Sequence, residues 1–120
     1  MEKGFKQLRV WQEGIELVKL VYEVTAGFPT EEKYGLISQM RRASISIPSN
    51  IAEGAARQAI KDSIQYFVMA RSSLNELDTQ IEICRILNIL NDELGSIVSK
   101  KLDAVESLLN GLIRFRKSLL

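Results

Sequence analysis

Apolar residues recur at alternating steps of three and four through the second half of the chain, and this spacing constrains the fold more than any other feature. Residues three and four apart share one face of an α-helix, so each row predicts a helix that buries one side. The rows are Phe67, Ala70, Leu74, Leu77, Ile81 and Cys84, and then Leu94, Val98, Leu102, Val105, Leu109, Leu112 and Ile113. We therefore predict a third helix over about 61–90. A turn at Asn91-Asp92 follows, and with Asp92 as its N-cap the fourth helix continues to about Lys117.

Two more helices are predicted in the first half of the chain. One runs from about Leu8 to Ala26 and ends before a Gly-Phe-Pro turn. The other has Thr30 as its N-cap and continues to Arg57. Its apolar stripe consists of Met40, Ala43, Ile47 and Ile51. Since Pro48 lies inside this helix and removes a backbone donor, we predict a kink near Pro48, about one turn back at Ser44.

The length and composition of the chain indicate one soluble globular domain, residues 1–120. Hydrophobic residues make up 46% of the 120 residues and charged residues 26%. Four helices of roughly 30–40 Å joined by short turns predict an all-α, antiparallel up-down four-helix bundle. Residues 81–90 are apolar almost all round the helix, and the first helix also carries a broad apolar face. This surplus predicts self-association, unless turns and chain ends cover it.

The sequence lacks the residues and motifs that several kinds of catalytic and metal sites require. With no histidine, the Glu-x-x-His di-iron bundle, a histidine general base and the commoner zinc sites are excluded. The glycines are scattered and form no phosphate loop. Cys84 lies on an apolar row and is interpreted as a core residue. We therefore predict no enzyme activity, no cofactor and no metal. A lone cysteine and the lack of a signal peptide or membrane span predict a cytoplasmic protein.

Two rows of polar residues lie on faces that a bundle would turn inward. They are Gln39, Arg42, Asn50 and Glu53 on the second helix and Ser73, Glu76 and Gln80 on the third. The favoured interpretation is a buried structural network, because such networks fix register in bundles. In it Arg42 neutralises Glu53 or Glu76, and Asn50 and Gln80 complete the hydrogen bonds. The alternative is that Glu53 and Glu76 form a carboxylate pair that acts as acid and base or holds a metal.

Basic residues crowd both ends of the chain, which an up-down bundle brings together. The predicted nucleic-acid-binding residues are Lys6, Arg9, Arg114, Arg116 and Lys117, positioned for phosphates without reading bases. Phe5 and Phe115 are interleaved with them and are suited to stack on unpaired bases. The opposing interpretation is ordinary solubilising charge, since the net charge is only +1.

Several blocks of this sequence resemble the four-helix-bundle proteins, also called the 23S ribosomal RNA intervening-sequence proteins. The blocks are Phe5-Lys6-Gln7-Leu8-Arg9-Val10-Trp11-Gln12, Phe28-Pro29, Glu32-Lys33-Tyr34-Gly35-Leu36, Gln39-Met40-Arg41-Arg42-Ala43, Ser46-Ile47-Pro48-Ser49-Asn50-Ile51-Ala52-Glu53-Gly54 and Ser73-Leu74-Asn75-Glu76-Leu77. The resemblance implies an antiparallel four-helix bundle that assembles as a homopentamer. A related branch, the accessory variability determinant of diversity-generating retroelements, is a basic pentamer that binds nucleic acid and a reverse transcriptase. This chain departs from that branch in being nearly neutral.

Two hypotheses for function follow. The first is a non-enzymatic homopentamer that binds RNA or DNA through basic surfaces, as an accessory to a reverse transcriptase or another nucleic-acid enzyme. The second is a protein–protein interaction scaffold without affinity for nucleic acid, which uses its apolar surfaces to bind a protein partner.

Overall fold

Four α-helices contain most of the residues in the computed structural model, which describes residues 3–120 apart from the side chain of Lys33. The helices are α1 (Arg9–Thr25), α2 (Ser38–Ala56), α3 (Ile60–Ile86) and α4 (Asp92–Ser118), preceded by a 3₁₀ turn at Gly4–Gln7. Within residues 3–120 there is no β-strand. Each helix packs against the next, and α1 packs against α4. The predicted all-α four-helix bundle is thus confirmed.

The helices run antiparallel, as short connections require. Arg41 near the start of α2 donates to the Thr25 hydroxyl at the end of α1, with 2.9 Å between Nε and Oγ1. The Ser63 hydroxyl near the start of α3 donates to the Gly54 carbonyl near the end of α2. The bundle measures 46 × 27 × 21 Å, and its long dimension fits the roughly 40 Å of a 27-residue helix.

The predicted apolar rows form the core. All six members of the row on α3 are buried, and so is the stripe of Met40, Ala43, Ile47 and Ile51 on α2. On α4, Val98, Leu102, Val105, Leu109 and Ile113 are buried, whereas Leu112 is half-buried and Leu94 is exposed. Burying each large side chain stabilises the fold by about 1.5–3 kcal/mol. Among residues 3–120, no helix has both the length and the apolar character needed to cross a bilayer.

The second helix begins later than predicted. Thr30–Glu32 form a 3₁₀ turn and Lys33–Ile37 a π-helical turn, so that α2 starts at Ser38 and Thr30 does not cap it. Gly35 interrupts the helical path, with φ −108° and ψ −107°. α2 remains helical through Pro48, which packs against Gly14 of α1. The kink near Pro48 stays a prediction.

The turn between α3 and α4 also corrects two predictions. α3 ends at Ile86, not at Leu90, because Asn88 adopts a left-handed conformation with φ 58°. The amides of the next two residues then fold back on the Cys84 carbonyl, at 2.9 and 3.2 Å. The N-cap of α4 is Asn91, whose side chain accepts from the Leu94 amide at 2.8 Å. Asp92 instead lies in the first turn, where its charge suits the helix dipole.

Candidate nucleic-acid interface

Basic residues from three separate segments of the chain lie at one end of the bundle. The antiparallel order places the start of α1, the end of α2, the start of α3 and the end of α4 together. We call this the basic end, residues 3–11, 52–68 and 110–120. It carries eight Lys and Arg residues against two acidic residues, Glu53 and Asp62. The formal net charge of +1 is therefore distributed unevenly along the bundle. The basic end is positive, and the rest of the chain has more acidic than basic residues.

All five predicted nucleic-acid-binding residues lie at the basic end. Lys6, Arg9, Arg114 and Lys117 are exposed, and Arg116 is half-buried. Within residues 3–120 none of the five forms an ion pair. Their positive charge is therefore open to an anionic ligand, although binding by these residues stays a prediction.

Sequence reasoning missed two cations of the basic end, Arg57 and Lys61. They lie just after the end of α2 and at the start of α3, and the signal that could have found them is the up-down order of the helices, which brings these positions to the chain termini. Arg57 is held in place: its guanidinium lies 3.1 Å from the Glu53 carboxylate, donates to the Tyr66 hydroxyl at 2.9 Å and stacks 4.7 Å from the Tyr66 ring centre. Lys61 is exposed.

A cavity of about 670 Å³ opens at the basic end. The 3₁₀ turn before α1 contributes Phe5, and the end of α4 contributes Phe115 and Arg116. The two aromatic residues predicted to stack on bases thus line one cavity. The remaining lining residues are Lys3, Gly4, Leu8, Ala52, Glu53, Ala55, Ala56, Phe67 and Leu112.

The predicted polar network is only partly assembled. The Ser73 hydroxyl of α3 donates to the Ser46 hydroxyl of α2 at 2.9 Å, and the Asn50 amide donates to the same oxygen and to the Ser46 carbonyl. This cluster joins α2 to α3. Gln80, which is buried, donates to the Glu76 carboxylate at 3.3 Å, whereas its own carbonyl oxygen is buried without a hydrogen-bond partner.

Arg42 does not have its predicted role. Gln39, Arg42, Glu53 and Glu76 are all exposed, and Glu53 pairs with Arg57 four residues later. Within residues 3–120 Arg42 forms no ion pair. The polar row of α2 is half-buried at Asn50 but turns toward solvent at Gln39, Arg42 and Glu53. Glu53 and Glu76 also have separate partners, and residues 3–120 contain no cluster of three His, Cys, Asp or Glu residues that could hold a metal.

Two titratable side chains outside the basic end have shifted pKa values. A hydrogen bond from Lys101 at 2.7 Å lowers the pKa of the Glu13 carboxyl and joins α4 to α1. Burial raises the pKa of the Cys84 thiol to about 11, with a smaller contribution from the charge of Glu32. Cys84 is fully buried against the Met40 sulfur at 3.6 Å, which confirms it as a core residue.

The fold is an antiparallel four-helix bundle of a kind also seen in a bacterial protein. The crystal structure, at 1.70 Å resolution, of a protein of unknown function from the S23 ribosomal protein family of Bacteroides thetaiotaomicron has the same fold. Its TM-score with this chain is 0.81 at 21% sequence identity, and the alignment covers 88% of this chain and 95% of that chain. A search among curated proteins found no match.

Residues 6–111 match the family described as 23S rRNA-intervening sequence protein, and the chain belongs to that family.

Proposed function

We propose that this protein is a cytoplasmic, non-enzymatic homo-oligomer, assembled as a pentamer, that binds RNA or DNA through its basic ends. The observation that carries the proposal is the concentration of eight cations against two acids at one end of the bundle. The family description refers to intervening sequences of 23S rRNA, which makes RNA the first ligand to test. An accessory role beside a nucleic-acid enzyme is part of the proposal.

Unpaired cations at the basic end suit the phosphate backbone. Neutralising a phosphate releases condensed counterions, so binding weakens as salt rises. The logarithm of the association constant falls linearly with the logarithm of the salt concentration, and each phosphate contact adds about 0.7 to this salt slope for single strands. One basic end offers few contacts. An oligomer repeats the basic end, and several weak sites on one particle bind a long polyanion more tightly than one site does.

The exposed apolar surface supports assembly. Ile86 is 70% exposed and Leu87 is 56% exposed at the end of α3, within the segment where an apolar surplus is predicted. On the opposite pair of helices, Ile15 of α1 and Ile45 of α2 line an apolar groove of about 290 Å³. Soluble monomers rarely expose large apolar patches. Self-association would bury these surfaces.

The binding proposal is tested by fluorescence anisotropy with a labelled mixed-sequence single-stranded RNA over a range of salt concentrations. The test variant is Arg114→Gln/Arg116→Gln/Lys117→Gln. The matched control is Lys19→Gln/Arg42→Gln/Lys100→Gln, which removes the same charge from exposed positions outside the basic end. We expect the test variant to lower the salt slope by about 2 and the control to leave it almost unchanged. Equal effects of the two variants, or no binding by the natural sequence at low salt, would reject the proposal.

The protein-interaction scaffold is the second candidate function, and the exposure of Ile86 and Leu87 favours it. These side chains would bind an apolar surface of a partner protein. An oligomer that does not bind RNA at low salt, combined with a partner protein whose binding is lost in Ile86→Ser/Leu87→Ser while the oligomeric state stays unchanged, would support the scaffold over the nucleic-acid-binding protein.

A further inference from the structure

We propose that the cavity at the basic end accepts an unpaired nucleobase, so that the protein prefers single-stranded nucleic acid to duplex. This inference rests on the proposed nucleic-acid binding and adds the class of ligand and the place where its base lies. Contacts to phosphate alone would not distinguish single-stranded from duplex nucleic acid, because both have a charged backbone.

The walls of the cavity suit a flat, apolar group. The volume of about 670 Å³ falls within the roughly 300–1,000 Å³ typical of ligand pockets. Phe115 is 60% exposed and offers a free ring surface. Phe5 is half-buried, and Trp11 contacts it edge to face with ring centres 5.5 Å apart. This contact limits the motion of Phe5, so that one aromatic wall is already in place before a ligand binds.

Small side chains form part of the cavity lining. Ala52, Ala55 and Ala56 from the last turns of α2 line the cavity, together with the buried ring of Phe67. An alanine side chain leaves room that a larger residue would fill. A planar ring that enters this cavity, whose lining also includes Phe5 and Phe115, would therefore meet space and apolar surface.

The charges at the cavity suit a base that is attached to phosphate. Lys3 and Arg116 line the cavity, and within residues 3–120 neither is ion-paired. The carboxylate of Glu53 also lines the cavity, but Arg57 binds it at 3.1 Å and offsets its charge. An aromatic ring joined to an anionic group matches both the walls and the cations. A nucleotide of a single strand has both parts, whereas the bases of a duplex are stacked inside it.

The test compares one sequence as single-stranded RNA, as single-stranded DNA and as RNA duplex, by anisotropy at low salt and then over a series of increasing salt concentrations. Phe115→Ala removes the exposed aromatic wall, and Ala55→Leu fills the cavity without changing charge. Their controls are Tyr34→Ala, an aromatic residue 88% exposed before α2, and Ala104→Leu, an exposed alanine of α4. Thermal unfolding verifies that each variant folds. Since Phe115 is exposed, its variant preserves the test even if Ala55→Leu destabilises the bundle.

We expect single strands to bind on the order of tenfold more tightly than duplex, and both cavity variants to lose that preference while they retain the salt slope. The controls should retain the preference. Equal affinity for single strand and duplex, or cavity variants that bind like the natural sequence, would overturn the base-binding cavity but leave the basic interface standing. No salt-dependent binding to any of the three probes would overturn both.

Discussion

Gly54, near the end of α2, allows two helices to approach closely at the basic end. A Cβ at this position would lie 2.6 Å from Cε1 of Phe67 and 2.9 Å from the Ser63 carbonyl oxygen. The Ser63 hydroxyl donates to the Gly54 carbonyl at 2.6 Å, which holds α3 against α2. The absence of a side chain at Gly54 therefore allows the short separation between α2 and α3.

We predict that Gly54→Ala destabilises the protein by about 1–3 kcal/mol, because the new methyl group overlaps a buried ring and backbone. Helix propensity alone would predict the opposite sign, a gain of about 1 kcal/mol. Urea unfolding measures the difference. Gly111→Ala is the control, since its Cβ would meet only the Arg114 guanidinium at 3.8 Å. A stabilised Gly54→Ala protein would show that the helices are farther apart than described.

The start of α4 depends on Asn91. Its side chain satisfies the Leu94 amide, one of the four amides that a helix start leaves without a partner. We predict that Asn91→Ala costs about 1 kcal/mol of unfolding free energy, whereas Asn91→Asp preserves the cap. Asp92→Ala should cost less, because Asp92 contributes only its interaction with the helix dipole. Chemical unfolding measures the free energy of unfolding of the three variants. A larger loss of this free energy for Asp92→Ala than for Asn91→Ala would identify Asp92 as the N-cap.

The pair Glu13–Lys101 joins α1 to α4 and should make their packing sensitive to acid. Lys101 lowers the pKa of Glu13 in the folded protein, so the pair stabilises the fold above the ordinary titration range of the carboxyl. That stability is lost as pH falls through the folded-state pKa. For this partly exposed pair we predict that Glu13→Gln costs about 0.5 kcal/mol at neutral pH and nothing in acid. A difference in urea midpoint that persisted in acid would contradict the ion-pair explanation.

Periodicity in the sequence was sufficient to predict the helices and their core but not the ends of the helices. The row from Phe67 to Cys84 repeats because one helix face is buried, so the pattern records the packing directly. Gly35 interrupts the helical path before α2, and Asn88 follows the end of α3, through dihedral angles of folded turns that leave no repeat in the sequence.

The candidate site was predictable only in part for a related reason. Spacing shows which residues share a face of one helix, but not what that face meets, so it could not show that Arg42 forms no ion pair within residues 3–120. The residues near the chain termini could be grouped from the order of an up-down bundle alone. The same order brings the end of α2 to the chain termini, so Arg57 was within reach of this reasoning, whereas its hydrogen bond to Tyr66 of α3 depends on how the two helices pack.

For the whole molecule, the exposed apolar end of α3 predicts assembly. Replacing Ile86 and Leu87 with serine should weaken self-association, because the buried apolar area drives subunit contact. The same change should leave the stability of the single chain almost unaltered, since both side chains are largely exposed. Sedimentation velocity over a range of concentrations measures the effect. An unchanged assembly would show that the subunits meet through other surfaces.

Light scattering coupled to size-exclusion chromatography, with and without mixed-sequence single-stranded RNA at low and moderate salt, tests the central claim most directly. We predict a particle of about five times the 13.6 kDa chain mass that gains mass with RNA at low salt and loses it at moderate salt. A stable particle of one chain mass, unchanged by RNA at low salt, would contradict both the assembly and the basic interface.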